Sequence, residues 1–171
     1  MMEKMTEIPG VQSYIGVKLV KAKPMTRGEY NHYRGWKISY DENPDDEGSL
    51  VVYPDGYVSW SPELQFEEAY REMYLGSMNF GLAVEAMKKG LFVSRHGWNG
   101  KDMFIYFVKK SIVDIENLRG ACAKAVEASG NTAPVQDICG HIDMKAADGS
   151  IVVGWLASQT DILADDYFVV K

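Results

Sequence analysis

The order of apolar and polar positions along the chain predicts short strands, tight turns and a few helices. Residues 14–23 alternate between apolar and polar side chains, which is typical of a strand. Residues 50–53 and 57–60 flank a Pro-Asp-Gly turn and predict a β-hairpin. The apolar spacing that follows predicts a helix that has Ser61 as its N-cap and ends at Gly76.

The same alternation of elements continues beyond Gly76. Asn79 is a suitable N-cap for a helix that runs through Lys89, and Gly90 follows as its terminator. A longer helix is predicted at residues 112–128, where apolar side chains recur at helical spacing. The other predicted elements are strands at residues 91–94 and 103–108, a hairpin of residues 141–145 and 151–153, a short helix or turn within residues 155–163, and a strand at residues 167–170.

These elements predict an α+β fold with two domains. Short turns join most neighbours, so an antiparallel sheet with helices packed on one face is the natural architecture. The Gly-Ser pair at residues 76–77 separates a small N-terminal α+β domain, residues 1–77, from a second domain, residues 78–171. The first carries a net charge of −5 and the second −1, so the second domain tolerates a small anion better.

Composition narrows the class of protein. With 46% hydrophobic residues among 171, the chain has enough apolar material for a packed core, and it lacks both a long apolar run and a signal-peptide pattern. We therefore expect a soluble, intracellular protein that does not enter a membrane. The net charge of −6 argues against a long nucleic acid as partner. Cys122 and Cys139 show no metal or disulfide spacing, and we expect both to be free, buried thiols.

Catalytic chemistry has one candidate cluster. His141 and Asp143 would share one face of a strand, as a metal site or a general base requires, and Asp161 could join them in a cleft. A solvated strand face explains the same residues equally well. No recognised nucleophile motif or phosphate-binding loop is present in the sequence.

Recognition chemistry is concentrated in two runs, residues 95–100 and 154–161, each with a tryptophan beside amides, hydroxyls and charge. An aromatic face stacks on a nucleotide base, and neighbouring polar groups contact its edges and phosphates. The candidate ligand-binding residues are Arg95, Trp98, Asn99, Trp155, Ser158, Gln159 and Asp161. The residues alone leave binding and ordinary packing open for both tryptophans.

The runs also resemble a known family. The sequences that carry the resemblance include Asn79-Phe80-Gly81, Val93-Ser94-Arg95-His96-Gly97-Trp98-Asn99-Gly100-Lys101, His141-Ile142-Asp143-Met144-Lys145 and Gly154-Trp155-Leu156-Ala157-Ser158-Gln159-Thr160-Asp161. Residues 78–171 thereby resemble the second Thoeris anti-defence family, which consists of small phage-encoded sponges for immune signals. Residues 112–138 match least.

The resemblance implies a binding protein rather than an enzyme, without cofactor or metal, acting in the cytoplasm of an infected bacterium. Its ligand would be a cyclic nucleotide second messenger, glycocyclic ADP-ribose for Thoeris, although some relatives hold cyclic dinucleotides. It further implies a homo-oligomer, with a tetramer favoured, and pockets at subunit interfaces. Carried onto this chain, Trp98 and Trp155 would enclose the adenine and Arg95 would face the pyrophosphate. Hydrogen bonds to base and ribose would come from Asn99, Ser158, Gln159 and Asp161.

Three alternatives stay open at this stage. Residues 1–77 resemble a phage segment of unknown function, and they could pack, oligomerise or cover the pocket. A hydrolase of the same signal would use His141, Asp143 and Asp161. A phage structural or interaction protein would bind no nucleotide.

Overall fold

Two units make up the part of the chain that the computed structural model describes, residues 17–170. The first runs to Tyr70 and the second starts at Arg71. The boundary predicted between residues 77 and 78 stays a prediction.

The first unit contains a three-stranded antiparallel sheet and two helices. In chain order its elements are β1 (Lys21–Pro24), α1 (Arg27–Arg34), β2 (Gly48–Val52), β3 (Val58–Pro62) and α2 (Glu63–Ala69), and the sheet order is β1-β2-β3. The predicted hairpin is confirmed as β2 and β3. The strand predicted at residues 14–23 starts only at Lys21, and residues 14–16 lie outside the described residues.

Two details of the predicted helix after this hairpin are wrong. Ser61 is the fourth residue of β3, and Pro62 occupies the N-cap position without a side-chain cap. The helix ends at Ala69 rather than Gly76, because Tyr70 is extended. Met73 falls within the predicted helix, but its carbonyl accepts a hydrogen bond from the Val169 N–H at 2.6 Å and its side chain packs against the core of the second unit.

The second unit is built on a five-stranded antiparallel sheet. Its elements are α3 (Phe80–Lys88), β4 (Val93–Arg95), β5 (Phe104–Val108), β6 (Ser111–Asp114), a 3-10 turn (Ile115–Asn117), α4 (Gly120–Ala128), β7 (Val135–Ile138), β8 (His141–Lys145), β9 (Ile151–Val152), α5 (Gln159–Ile162) and β10 (Tyr167–Val169). The sheet order is β10-β4-β5-β8-β9, and β6 pairs with β7 separately. The α+β fold with antiparallel sheets is confirmed.

The core of this unit lies between α3 and one face of the sheet. Val93, Ile105 and Tyr167 are fully buried against Ala83 and Met87 of the helix. The helix starts where the sequence predicts, because the Asn79 side chain accepts a hydrogen bond from the Leu82 N–H at 2.9 Å. Apolar burial at these positions stabilises the sheet that carries the two tryptophan runs.

The single helix predicted at residues 112–128 is wrong. Ile112 and Val113 form a strand, since they pair with Asp137 and Gln136 across β6 and β7. Helix α4 begins only at Gly120 and contributes no buried residue. The expectation that the thiols are buried is therefore also wrong, because Cys122 on α4 is exposed, as is Cys139 after β7. Among the described helices, none is both long and apolar enough to cross a membrane.

Candidate functional site

The fold brings the two tryptophan runs together on the α3 side of the sheet. Trp98 lies in the turn after β4, where its N–H donates to the Arg95 carbonyl at 3.3 Å. Trp155 lies after β9 and donates its N–H to the Ile142 carbonyl at 2.7 Å. The two rings meet edge to face with centroids 6.0 Å apart, and both are half-buried against the core. Residues 57 positions apart thus form one aromatic pair.

Asp161 is the centre of the hydrogen bonds around this pair. Its Oδ1 accepts from Arg95 Nη1 at 2.8 Å and from Trp98 Nε1 at 2.9 Å. Its Oδ2 accepts from Ser158, through the backbone N–H at 3.0 Å and through the hydroxyl at 2.6 Å. Ser158 is also the N-cap of α5 and forms a capping box with Asp161. The second run therefore anchors the first.

The electrostatics of Asp161 follow from these partners. Burial raises the pKa of Asp161, but hydrogen bonds from Ser158, Trp98 and Arg95 together lower it to about 2. Burial likewise raises the pKa of Tyr167, whose hydroxyl donates to the Asp161 carbonyl at 2.8 Å. At neutral pH the site thus holds an ionised carboxylate beside a neutral phenol.

Arg95 is held by two carboxylates. Its Nε donates to Asp166 Oδ1 at 2.6 Å, and its Nη1 donates to Asp161. Hydrogen bonding to Asp166 raises the pKa of Arg95. An arginine has five N–H donors, so two of them serve these carboxylates while three are left. Asp166 is a site residue that sequence reasoning missed; the acidic pair before the last strand, residues 165–166, is the only local signal for it.

The two amides of the predicted site have a different environment. Asn99 and Gln159 are exposed, and their side chains make no hydrogen bond within residues 17–170. Asn99 follows Trp98 directly, and Gln159 is the first residue of α5. These two side chains retain their donors and acceptors for a ligand.

Of the three residues of the alternative hydrolase, His141 and Asp143 lie together, whereas Asp161 has other partners. Asp143 is buried and accepts from the Gly154 N–H at 2.9 Å, while His141 Nε2 lies 3.4 Å from the same oxygen. Asp161 is bonded to Arg95, Trp98 and Ser158 instead. Gly154 has a φ of +73° and directly precedes Trp155. Its hydrogen bond to Asp143 therefore fixes the turn that carries the Trp155 ring. Across the described residues, no three His, Cys, Asp or Glu side chains form a metal-binding group.

Comparisons with known proteins address the second unit. The family model described as "Thoeris anti-defense 2-like domain" matches residues 78–170. The protein "Thoeris anti-defense 2" of Bacillus phage SP01 is 36% identical over 95 residues, which cover 55% of this chain and 96% of the phage protein. The match spans more than half of the chain and contains every candidate ligand-binding residue. The chain therefore belongs to the Thoeris anti-defense 2-like domain family.

Proposed function

We propose that this protein is a phage anti-defence protein that binds a cyclic nucleotide immune signal, glycocyclic ADP-ribose, and withholds it without cleaving it. The name of the relative from Bacillus phage SP01 supports the anti-defence role. The observation that carries the binding role is the Trp98–Trp155 pair, 6.0 Å between centroids, with exposed amides beside it. The cytoplasm of the infected bacterium is where such a signal would be met.

The proposed contacts with the ligand are of two kinds, stacking on the aromatic rings and hydrogen bonds from the polar side chains around them. Trp98 and Trp155 stack on or enclose the adenine, because a flat aromatic face is the usual platform for a base. Asn99 and Gln159 supply hydrogen bonds to base and ribose, as exposed amides without protein partners can do. Ser158 and Asp161 hold the Trp98 ring in place and border the ribose.

In this proposal Arg95 contacts the pyrophosphate through the N–H groups that do not bind Asp161 or Asp166. Asp161 and Asp166 together outweigh the single positive charge, so the cluster carries a net charge of −1. We therefore expect Arg95 to orient a phosphate by hydrogen bonds more than to attract it by charge.

The chemistry of the carboxylates supports binding over hydrolysis. A carboxylate with a pKa of about 2 is a weak proton acceptor at neutral pH, and Asp161 already accepts four hydrogen bonds. Asp143 is buried and bonded to the backbone. The partners of these two carboxylates favour binding, and His141, which lies 3.4 Å from Asp143, is the residue through which a hydrolase would have to act.

The proposed assembly is a homo-oligomer, with a tetramer favoured and pockets at subunit interfaces. Leu156, which directly follows Trp155, and Leu163, two residues after Asp161, are 89% and 77% exposed. Exposed apolar side chains that together form a patch beside a binding site mark an interaction surface, and a second copy of the chain that covers these leucines would remove them from water. Strand β9 also lies at an edge of the sheet.

The test is recovery of the ligand. The protein is incubated with glycocyclic ADP-ribose, separated from free ligand and heated, and the released molecule is identified by mass. Intact ligand supports the sponge, whereas a linear product would overturn it in favour of a hydrolase. Calorimetry with cyclic dinucleotides checks the alternative ligand class, and failure to bind any of these nucleotides would contradict a nucleotide-binding role.

A further inference from the structure

We infer that Asp166 is a positioning residue for the binding site, because it fixes the turn that carries Trp98 and so sets where that ring lies against Trp155. This inference rests on the proposed function, which assigns Trp98 to the ligand. Asp166 itself touches neither ring in the hydrogen-bond pattern; it acts through the backbone and through Arg95.

The first connection runs through the backbone of the turn. Asp166 Oδ2 accepts from the Gly97 N–H at 2.7 Å, and the Asp166 carbonyl accepts from the His96 N–H at 3.2 Å. The next N–H, that of Trp98, closes the turn onto the Arg95 carbonyl. Both backbone donors that directly precede Trp98 are therefore bound by one residue.

The second connection runs through side chains. Asp166 Oδ1 binds Arg95 Nε at 2.6 Å, and Arg95 Nη1 binds Asp161 Oδ1 at 2.8 Å. The same Asp161 oxygen accepts the indole N–H of Trp98 at 2.9 Å. Charge-assisted hydrogen bonds of this kind are short and directional, so the series transmits the position of Asp166 to the indole.

Packing leaves this arrangement little room to move. A Cβ added at Gly97 would lie 2.9 Å from Asp166 Oδ2 and 2.8 Å from Arg95 Nη2. The turn thus lies in contact with the carboxylate as well as bonded to it. Asp165, the neighbouring residue, is exposed and makes no hydrogen bond or ion pair within the described residues, which makes it a matched control.

The main variant is Asp166→Asn. It keeps the size of the side chain but replaces one carboxylate oxygen by an NH2 group, which then faces either the Gly97 N–H or the Arg95 N–H, donor against donor. Calorimetry with glycocyclic ADP-ribose should show an affinity about tenfold lower, as expected for one lost charge-assisted hydrogen bond. Asp165→Asn, which removes the same charge one residue away, should bind like the parent.

A double-mutant cycle separates positioning from general stability. In a Trp98→Ala background, Asp166→Asn should cost clearly less affinity than in the parent, because the loss that acts through the ring is gone and only the loss that acts through Arg95 is left. An equal loss of affinity in both backgrounds would overturn the inference. So would an Asp166→Asn protein that binds as tightly as the parent.

A measurement without ligand keeps the inference testable if the proposed function fails. The difference between the near-ultraviolet circular dichroism of the parent and of Trp98→Phe defines the signal of the Trp98 ring. Asp166→Asn should lose that signal while Asp165→Asn keeps it, and retention by Asp166→Asn would contradict positioning. If Asp166→Asn does not fold, Gly97→Ala disturbs the same contact from the turn and is expected to lose the signal in the same way. A parent protein that binds no nucleotide would refute the proposed function alone.

Discussion

At the scale of single residues, the site consists of groups that hold each other and groups that are left open. Asp161 and Arg95 have protein partners for their charges, whereas Asn99 and Gln159 are exposed and without side-chain hydrogen bonds in the described chain. Trp155 stands between these classes, since its ring packs on the core and on Trp98 yet is only half-buried. Substitutions should therefore separate binding from stability.

Trp155→Ala should weaken the binding of glycocyclic ADP-ribose by about 1–3 kcal/mol, because one base–aromatic stack is lost. Calorimetry would measure this as a roughly 5- to 150-fold higher Kd. Trp155→Phe, which retains an aromatic face, should lose less. Trp36→Ala, which removes an exposed tryptophan of the first unit, serves as the control for losing an indole. Tight binding by Trp155→Ala would place the ligand elsewhere.

Asp161→Asn should change how stability depends on pH. The pKa of Asp161 lies near 2 in the folded protein and near 3.8 ordinarily, so ionised Asp161 stabilises the fold above pH 4 and loses this effect as the pH falls toward 2. The difference is on the order of 2 kcal/mol. Urea unfolding between pH 2 and pH 6 should show a shallower acid loss for Asp161→Asn than for Asp165→Asn. Parallel curves for the two variants would contradict this origin of the acid sensitivity.

At the scale of elements, local signals explain what the sequence could predict. Helix α3 and the hairpin of β8 and β9 were predictable because caps, turn residues and apolar spacing agree within a few positions. The helix prediction for residues 112–128 failed because the apolar side chains at helical spacing include β-branched residues, which also favour strands. Their strand partners lie more than twenty positions later in the chain, so no local pattern reveals the pairing. Helix α1 escaped prediction because its signal is a capping box rather than an apolar stripe.

The same distinction applies to the candidate site. Trp98, Trp155 and the Ser158–Asp161 pair stand out in short runs, so their chemistry was visible. The hydrogen bond from Arg95 to Asp166 joins residues 71 positions apart, and no local sequence pattern predicts which carboxylate an arginine will bind. The exposure of Cys122 could not be read from the sequence either, since it depends on the tertiary packing of α4, which buries none of its residues.

Helix α3 supplies the prediction at this scale. Asn79→Ala removes the acceptor for the Leu82 N–H, and loss of such a cap costs about 1 kcal/mol in free energy of unfolding. Urea unfolding would measure this as a lower midpoint with an unchanged slope. Asn117→Ala, at an exposed asparagine without a side-chain hydrogen bond in the described chain, is the control. Equal midpoints for the two variants would show that the cap does not stabilise α3.

At the scale of the whole molecule, the family match and the candidate site both lie in the second unit, while residues 17–70 form a unit of their own. Ligand binding and assembly are therefore expected from the second unit. The exposed aliphatic side chains beside the site connect the two properties, because any partner copy that covers them would also lie next to the tryptophan pair.

Leu156→Glu should break the proposed oligomer and weaken ligand binding together. A carboxylate at an 89% exposed position costs a monomer little, but in an interface it would be desolvated without a partner, which costs several kcal/mol. Light scattering after size exclusion should show the tetramer mass for the parent and a smaller mass for the variant. Leu64→Glu makes the same change at a 70% exposed leucine on α2 and should leave the mass unchanged.

A Leu156→Glu protein that stays assembled would move the interface away from the second run. A variant that dissociates yet binds glycocyclic ADP-ribose at full strength would mean that one subunit holds the whole pocket, because a pocket shared between subunits must lose contacts when they separate.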